Sequence, residues 1–157
     1  MLLLVGALTM LTFTACGSDD DDNNKDEPQL TTATKTDLTK PWMLIPESQA
    51  TDESFSFLAF EDNRAAIGTF HHDGTVSDVI ITSSWSFSKG ILMVNNRELG
   101  KVTKVTQKGV TVLFIDEDMY IPSNVRVNGN KSVEDTFIEG GISRAQFWQF
   151  LEQANGK

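Results

Sequence analysis

The chain is poor in the residues that carry most protein chemistry. Cys16 is the only cysteine, and His71 and His72 are the only histidines. A single cysteine excludes an internal disulfide and any thiolate-built metal centre. Two histidines fall short of the three protein ligands that a catalytic zinc takes. Being adjacent on a strand, they also point to opposite faces. Gly-rich phosphate loops, a dinucleotide fingerprint and a Gly-x-Ser-x-Gly elbow are all missing. The expectation is a chain with no catalytic residues, no metal and no cofactor, and hence not an enzyme.

Long hydrophobic runs are scarce as well. The one that exists, residues 1–15, carries no charge and is mostly Leu, Val, Ala, Met and Phe. It is shorter than the about 20 residues of a membrane-spanning helix and reads as the hydrophobic region of an export signal. It opens Met1-Leu2-Leu3-Leu4 without the usual Lys or Arg, so the reading expects either a start further upstream or a lost basic region. The run ends Phe13-Thr14-Ala15-Cys16, a tetrad that resembles the lipobox of bacterial lipoproteins. That resemblance implies cleavage before Cys16, lipidation of Cys16 and a membrane anchor there. The acidic tract that follows resembles the export signal of surface-exposed outer-membrane lipoproteins of the Bacteroidetes.

Charge is unevenly spread. The formal net charge is -9, and residues 18–27 hold six acids and one base. The remainder is only mildly acidic, which argues against nucleic acid as a partner. Residues 16–38, rich in Asp, Asn and Thr and nearly devoid of apolar side chains, read as a solvated tether. The domain is expected to span residues 39–157.

Within it, strands dominate. Segments 54–60, 65–71, 76–82, 84–88, 91–94, 100–106, 110–115 and 119–121 are short, apolar or alternating, and separated by turn residues. Such spacing predicts an all-β antiparallel meander closed into a barrel or a strongly curved sheet. Residues 123–141 read as a further strand, through Val125, Val127, Phe137 and Ile138, or as a long loop. The C-terminus differs. Ser143 and Gln146 form a capping-box pair, and Phe147, Phe150, Leu151 and Ala154 share one helical stripe. This predicts helix 144–154, docked outside the sheet.

Three clusters invite a chemical reading. His71-His72-Asp73 reads as a strand end entering a turn. Asp116-Glu117-Asp118 lacks the central Gly of a calcium loop and reads as a solvated hairpin tip. Glu61-Asp62-Asn63-Arg64 reads the same way. The aromatic inventory is richer. Phe57, Trp85, Phe87, Met93 and Tyr120 are expected to face the barrel axis, where they either fill a core or line a pocket; an eight-stranded barrel has room for either.

The lipobox, the acidic tract, the early Trp42, the run Phe70-His71-His72-Asp73-Gly74-Thr75-Val76, and Trp85 before Lys89-Gly90 together resemble the lipocalin-like lipoproteins of the Bacteroidetes. The resemblance covers residues 40–121. It lacks the Gly of the lipocalin Gly-x-Trp motif before Trp42. It implies a lipid-anchored barrel binding a small apolar or amphipathic ligand in its cavity. The competing expectation is a solid-core domain acting through its surface on an envelope protein partner.

Overall fold

The computed structural model describes residues 28–50, 52–71, 73–126 and 129–157. Cys16, the leader before it, the tract up to Glu27, and His72 and Val127 therefore lie outside the described residues.

Among the described residues, ten strands and three α-helices follow in chain order. They are β1 (Gln29–Thr32), α1 (Lys35–Thr39), β2 (Leu44–Pro46), β3 (Ser54–Glu61), β4 (Arg64–His71), β5 (Val76–Thr82), β6 (Trp85–Ser88), β7 (Ile91–Val94), β8 (Arg97–Gln107), β9 (Val110–Ile115), β10 (Asp118–Pro122), α2 (Val133–Glu139) and α3 (Arg144–Ala154). All strand pairs are antiparallel, in the order β5-β4-β3-β2-β10-β9-β8-β7-β6, with β1 added to β8. The two ends of this path, β5 and β6, are consecutive in the chain and separated only by Ser83 and Ser84. The nearly closed barrel is thus completed by covalent continuity instead of a last hydrogen-bonded ladder. The all-β barrel expected from the strand spacing is the observed fold.

β8 is long enough to serve two partners on one edge. Its first half pairs with β7 and its second half with β1. At the changeover, Val102 N donates to Gly90 O (2.7 Å) and Val102 O accepts from Ala33 N (3.2 Å). This corrects the tether boundary. Gln29–Thr32 is a strand, and Ala33 and Leu38 are 4% and 1% exposed. The exposed and mostly polar Gln29-Leu30-Thr31-Thr32 concealed a short edge strand whose stability comes from pairing with β8.

Because strand side chains alternate, one sheet feeds two cores. The inner core holds Leu44, Leu58, Phe60, Ala65, Leu92, Val94, Val102, Leu113 and Ile115, together with Leu38 from α1. The outer core lies between β2–β5 and the C-terminal helices and holds Trp42, Met43, Ile45, Phe57, Ala59, Ala66, Val79, Phe147, Trp148 and Leu151. Its rings interlock: Trp42 stacks on Phe137 at 5.6 Å between centroids, and Phe147 lies 5.6 Å from Phe137 and 6.4 Å from Phe57. Gly68 makes room for this layer, since a Cβ there would lie 2.9 Å from Phe57 Cζ.

The segment 123–141 holds a helix, α2, in place of the expected further strand or long loop. Ser132 and Asp135 cap it reciprocally. A carboxylate locks it to the segment just before β2: Glu134 Oε1 accepts from Trp42 N (2.7 Å) and from Ser123 Oγ (2.7 Å), while Met43 N donates to Ser123 Oγ (3.0 Å). Ser123 is 1% exposed, so these bonds satisfy polar groups that would otherwise be costly to bury.

Helix α3 has the predicted bounds and the predicted capping box. Its buried stripe is different. Phe147, Trp148 and Leu151 are 0–1% exposed, whereas Phe150 is 39% exposed. Trp148 takes the place expected for Phe150, with the Arg64 guanidinium 4.2 Å over its ring. Trp148→Ala is therefore expected to cost about 3–5 kcal/mol, and Phe150→Ala about 1 kcal/mol or less. Urea denaturation of the two variants checks the order; equal losses would contradict the observed docking face.

Candidate functional site

The five residues expected on the axis divide between the two faces. Trp85, Phe87 and Tyr120 pack against the inner core. Phe57 belongs to the outer core beneath α3, so its placement on the axis is corrected. Met93 alternates with Leu92 and Val94, which are the inward residues of β7, and thus faces outward, a second correction. Trp85 and Met93 still meet in one shallow hollow of about 230 Å³, with Ser83, Ser84, Ser86 and Asn96 around them. The axis itself is occupied: Leu44, Leu58, Phe60, Leu92, Val102 and Leu113 are all 0–8% exposed. Alternation reveals which residues share a face. It does not reveal which face is the axis when helices cover the other one.

The acidic and histidine clusters have structural duties. His71 Nδ1 lies 2.8 Å from Ser54 Oγ and Nε2 lies 2.9 Å from Ser77 Oγ. Ser77 Oγ donates to Asp78 Oδ2 (2.9 Å), so its oxygen accepts from Nε2–H. Asp73 closes the following turn by accepting from Thr75 N and Thr75 Oγ1, and these bonds hold its carboxyl below the ordinary range. Asp116 fills the space beside Gly100, where a Cβ would lie 2.3 Å from Asp116 Oδ2; its Oδ1 accepts from Lys101 N. Glu61 pairs with Arg64 and Arg144. Among the described residues, no group of three His, Cys, Asp or Glu side chains is placed to hold a metal.

A deeper cleft, of about 440 Å³, opens where the C-terminus of α1, the β8–β9 turn and the segment after β10 meet. Its apolar lining is Pro41, Val110, Leu113, Pro122 and Val125, and its polar lining is Asp37, Lys40, Thr111, Asn124 and Arg126. The α1 wall is built by short-range capping. Thr34 Oγ1 accepts from Asp37 N while Asp37 Oδ2 accepts from Thr34 N at 2.7 Å. The same carboxylate binds Lys104 Nζ on β8, at 2.9 and 3.1 Å from its two oxygens. Burial pushes the Asp37 carboxyl up, but the Lys104 and Thr34 hydrogen bonds and the Lys104 charge together outweigh it and hold the group below its ordinary value. At its far end α1 hands its free carbonyls to Arg144, which donates to Thr39 O (2.7 Å), Lys40 O (3.0 Å) and Pro41 O (3.2 Å), and also to Phe60 O (2.9 Å).

Sequence reasoning missed this cleft. Lys40 and Arg126 are isolated cations at distant positions, and no local pattern joins them. The readable signal was Thr34-Lys35-Thr36-Asp37, a capping-box spacing at the start of a helix.

The depressed Asp37 value fixes a pH dependence. Its contribution to stability is fully present above the unfolded carboxyl value of about 3.9 and is lost as pH falls through the lower folded value. Asp37→Ala is expected to cost roughly 1–2 kcal/mol near neutral pH through the lost cap. It is also expected to flatten the acid limb of a Tm-against-pH curve below about pH 4. An acid limb unchanged in the variant would show that Asp37 does not carry this stability. In comparisons of the chain with protein-family models, with curated proteins and with solved structures, nothing matches.

Proposed function

We propose that this chain is a lipid-anchored outer-membrane protein, held at the cell surface through Cys16, that binds a small amphipathic ligand without chemical conversion. The ligand sits in the cleft beside α1 and not on the barrel axis. The observation that carries this reading is the cleft itself. About 440 Å³ lies within the range of small-molecule sites, and apolar side chains there sit beside convergent charged and polar ones. The filled axis speaks against a central pocket. The anchor rests on the Phe13-Thr14-Ala15-Cys16 tetrad and the acidic tract behind it. The likeness to the lipocalin-like lipoproteins of the Bacteroidetes belongs to the same proposal. No helix among the described residues is long and apolar enough to cross a membrane.

A second reading, an accessory or interaction module of an envelope complex, is favoured by one observation. Leu30 pairs with Val105, which pairs with Val112, so an apolar row crosses the outer face of β1, β8 and β9, with Leu30 59% exposed.

Two experiments test the first reading. Cys16→Ser is expected to move the protein from the membrane fraction to the soluble one and to abolish labelling by a fatty-acid probe. Unchanged fractionation would refute the anchor. For the cleft, an environment-sensitive apolar dye is expected to bind the purified protein, and Val110→Trp, which fills the cleft from its rim, is expected to weaken binding about tenfold, or about 1.4 kcal/mol. Binding that is indifferent to Val110→Trp would remove the cleft as the site.

A further inference from the structure

We infer that the cleft selects an anionic ligand: a molecule with one negatively charged head and a short apolar body, with Lys40 and Arg126 as the residues that read the charge. This rests on the cleft being the ligand site.

The chain as a whole is acidic, with a formal net charge of -9. The cleft reverses that sign. Its lining has one acid, Asp37, against two bases, Lys40 and Arg126. Asp37 offers no free charge, because Lys104 Nζ lies 2.9 Å from one carboxylate oxygen and 3.1 Å from the other. Lys40 has no ion-pair partner among the described residues. Arg126 reaches Asp135 at 3.2 Å, but its side chain is 68% exposed, and Asp135 also accepts from Ser132 N as the cap of α2. A guanidinium that exposed keeps donors free for a second acceptor.

A helix C-terminus would normally repel an anion placed beside it. Here Arg144 offsets part of that repulsion. The carbonyls of Thr39, Lys40 and Pro41 all accept from Arg144, so these three are satisfied. What remains toward the ligand is positive charge beside the exposed and half-buried Val110 and Val125. A neutral apolar molecule would use these valines and leave both cations in water. A cationic amphiphile would be repelled. An anionic head satisfies the cations while its apolar part covers the valines, and charge-assisted hydrogen bonds are the stronger kind.

The test compares octanoate with octanamide, which share a chain length and differ in head charge. Each is titrated into the purified protein while the backbone amides of Val110, Thr111 and Val125 are followed by NMR. Octanoate is expected to bind about tenfold more tightly than octanamide. That advantage is expected to shrink as salt rises from about 0.05 to about 0.5 M, since the pair is solvent-accessible. Lys40→Gln alone, and Lys40→Gln with Arg126→Gln, are expected to reduce octanoate affinity stepwise and to leave octanamide affinity and the melting temperature unchanged. Equal affinity of the wild-type protein for the two probes would overturn the charge assignment and leave the cleft as a binding site. Binding of neither probe, with no shift at those amides, would overturn the cleft reading as well.

Discussion

Four backbone carbonyls converge on one guanidinium. Arg144, the first residue of α3, donates to Thr39, Lys40, Pro41 and Phe60, and its Nε lies 3.7 Å from Glu61. Three elements meet there: the end of α1, the end of β3 and the start of α3. Helix α1 has five residues and no independent stability. It is held at its N-terminus by its own capping box, on its flank by Lys104 and at its C-terminus by Arg144. Each of these contacts replaces water on a helix end that would otherwise carry unsatisfied groups. The planar fork of arginine suits this task, because several donors leave one rigid head in fixed directions.

The position of α1 decides what the barrel can do. Leu38 enters the inner core, while Asp37 and Lys40 turn toward the cleft. A barrel of this size either encloses a ligand or is filled, and here side chains from eight strands, together with Leu38, do the filling. The residues on the other face of β2–β5 are equally apolar and need their own cover. The two C-terminal helices supply it, with Phe137, Phe147, Trp148 and Leu151 against Phe57, Ala59, Ala66 and Val79. Removing the helices would leave an exposed aromatic sheet face of the kind that drives association.

Where the sequence was legible follows from the range of the interactions involved. Strands 54–60 and 84–88 announce themselves by alternation, and α3 by a cap and a stripe, because these are local patterns. Helix α2 also carries a local signal, Ser132 and Asp135 at capping-box spacing, but Phe137 and Ile138 beside Gly140 and Gly141 resemble a strand closing in a turn. Strand β1 has no signal of its own, since its ladder bonds all go to a strand some seventy residues on, a pairing that only register reveals. The same limit hid the faces of Phe57 and Met93. Parity along a strand is local, but the identity of the inner face depends on which elements pack on the other side. At Phe150 and Trp148 the helical stripe was right in period and displaced in phase, because the Arg64 side chain covers Trp148 and moves the buried face toward it.

The cleft shows the same dependence in its energetics. Its lining comes from three segments remote in sequence, and one of them, α1, is too short to hold without the contacts that Lys104 and Arg144 add to its own cap. A ligand that touches Lys40 and Pro41 binds the docked form of α1 and has no such surface when α1 is released. By linkage, whatever strengthens the docking of α1 strengthens ligand binding, and the ligand in turn stabilises the docked helix. If the cleft binds the proposed ligand, Asp37, Lys104 and Arg144 would therefore act on the site without contacting the charged head. Their effect on affinity runs through the population of docked α1, whereas that of Lys40 and Arg126 runs through direct attraction. Only the second effect depends on the sign of the ligand's charge, and this separates residues that build the cleft from residues that choose its occupant.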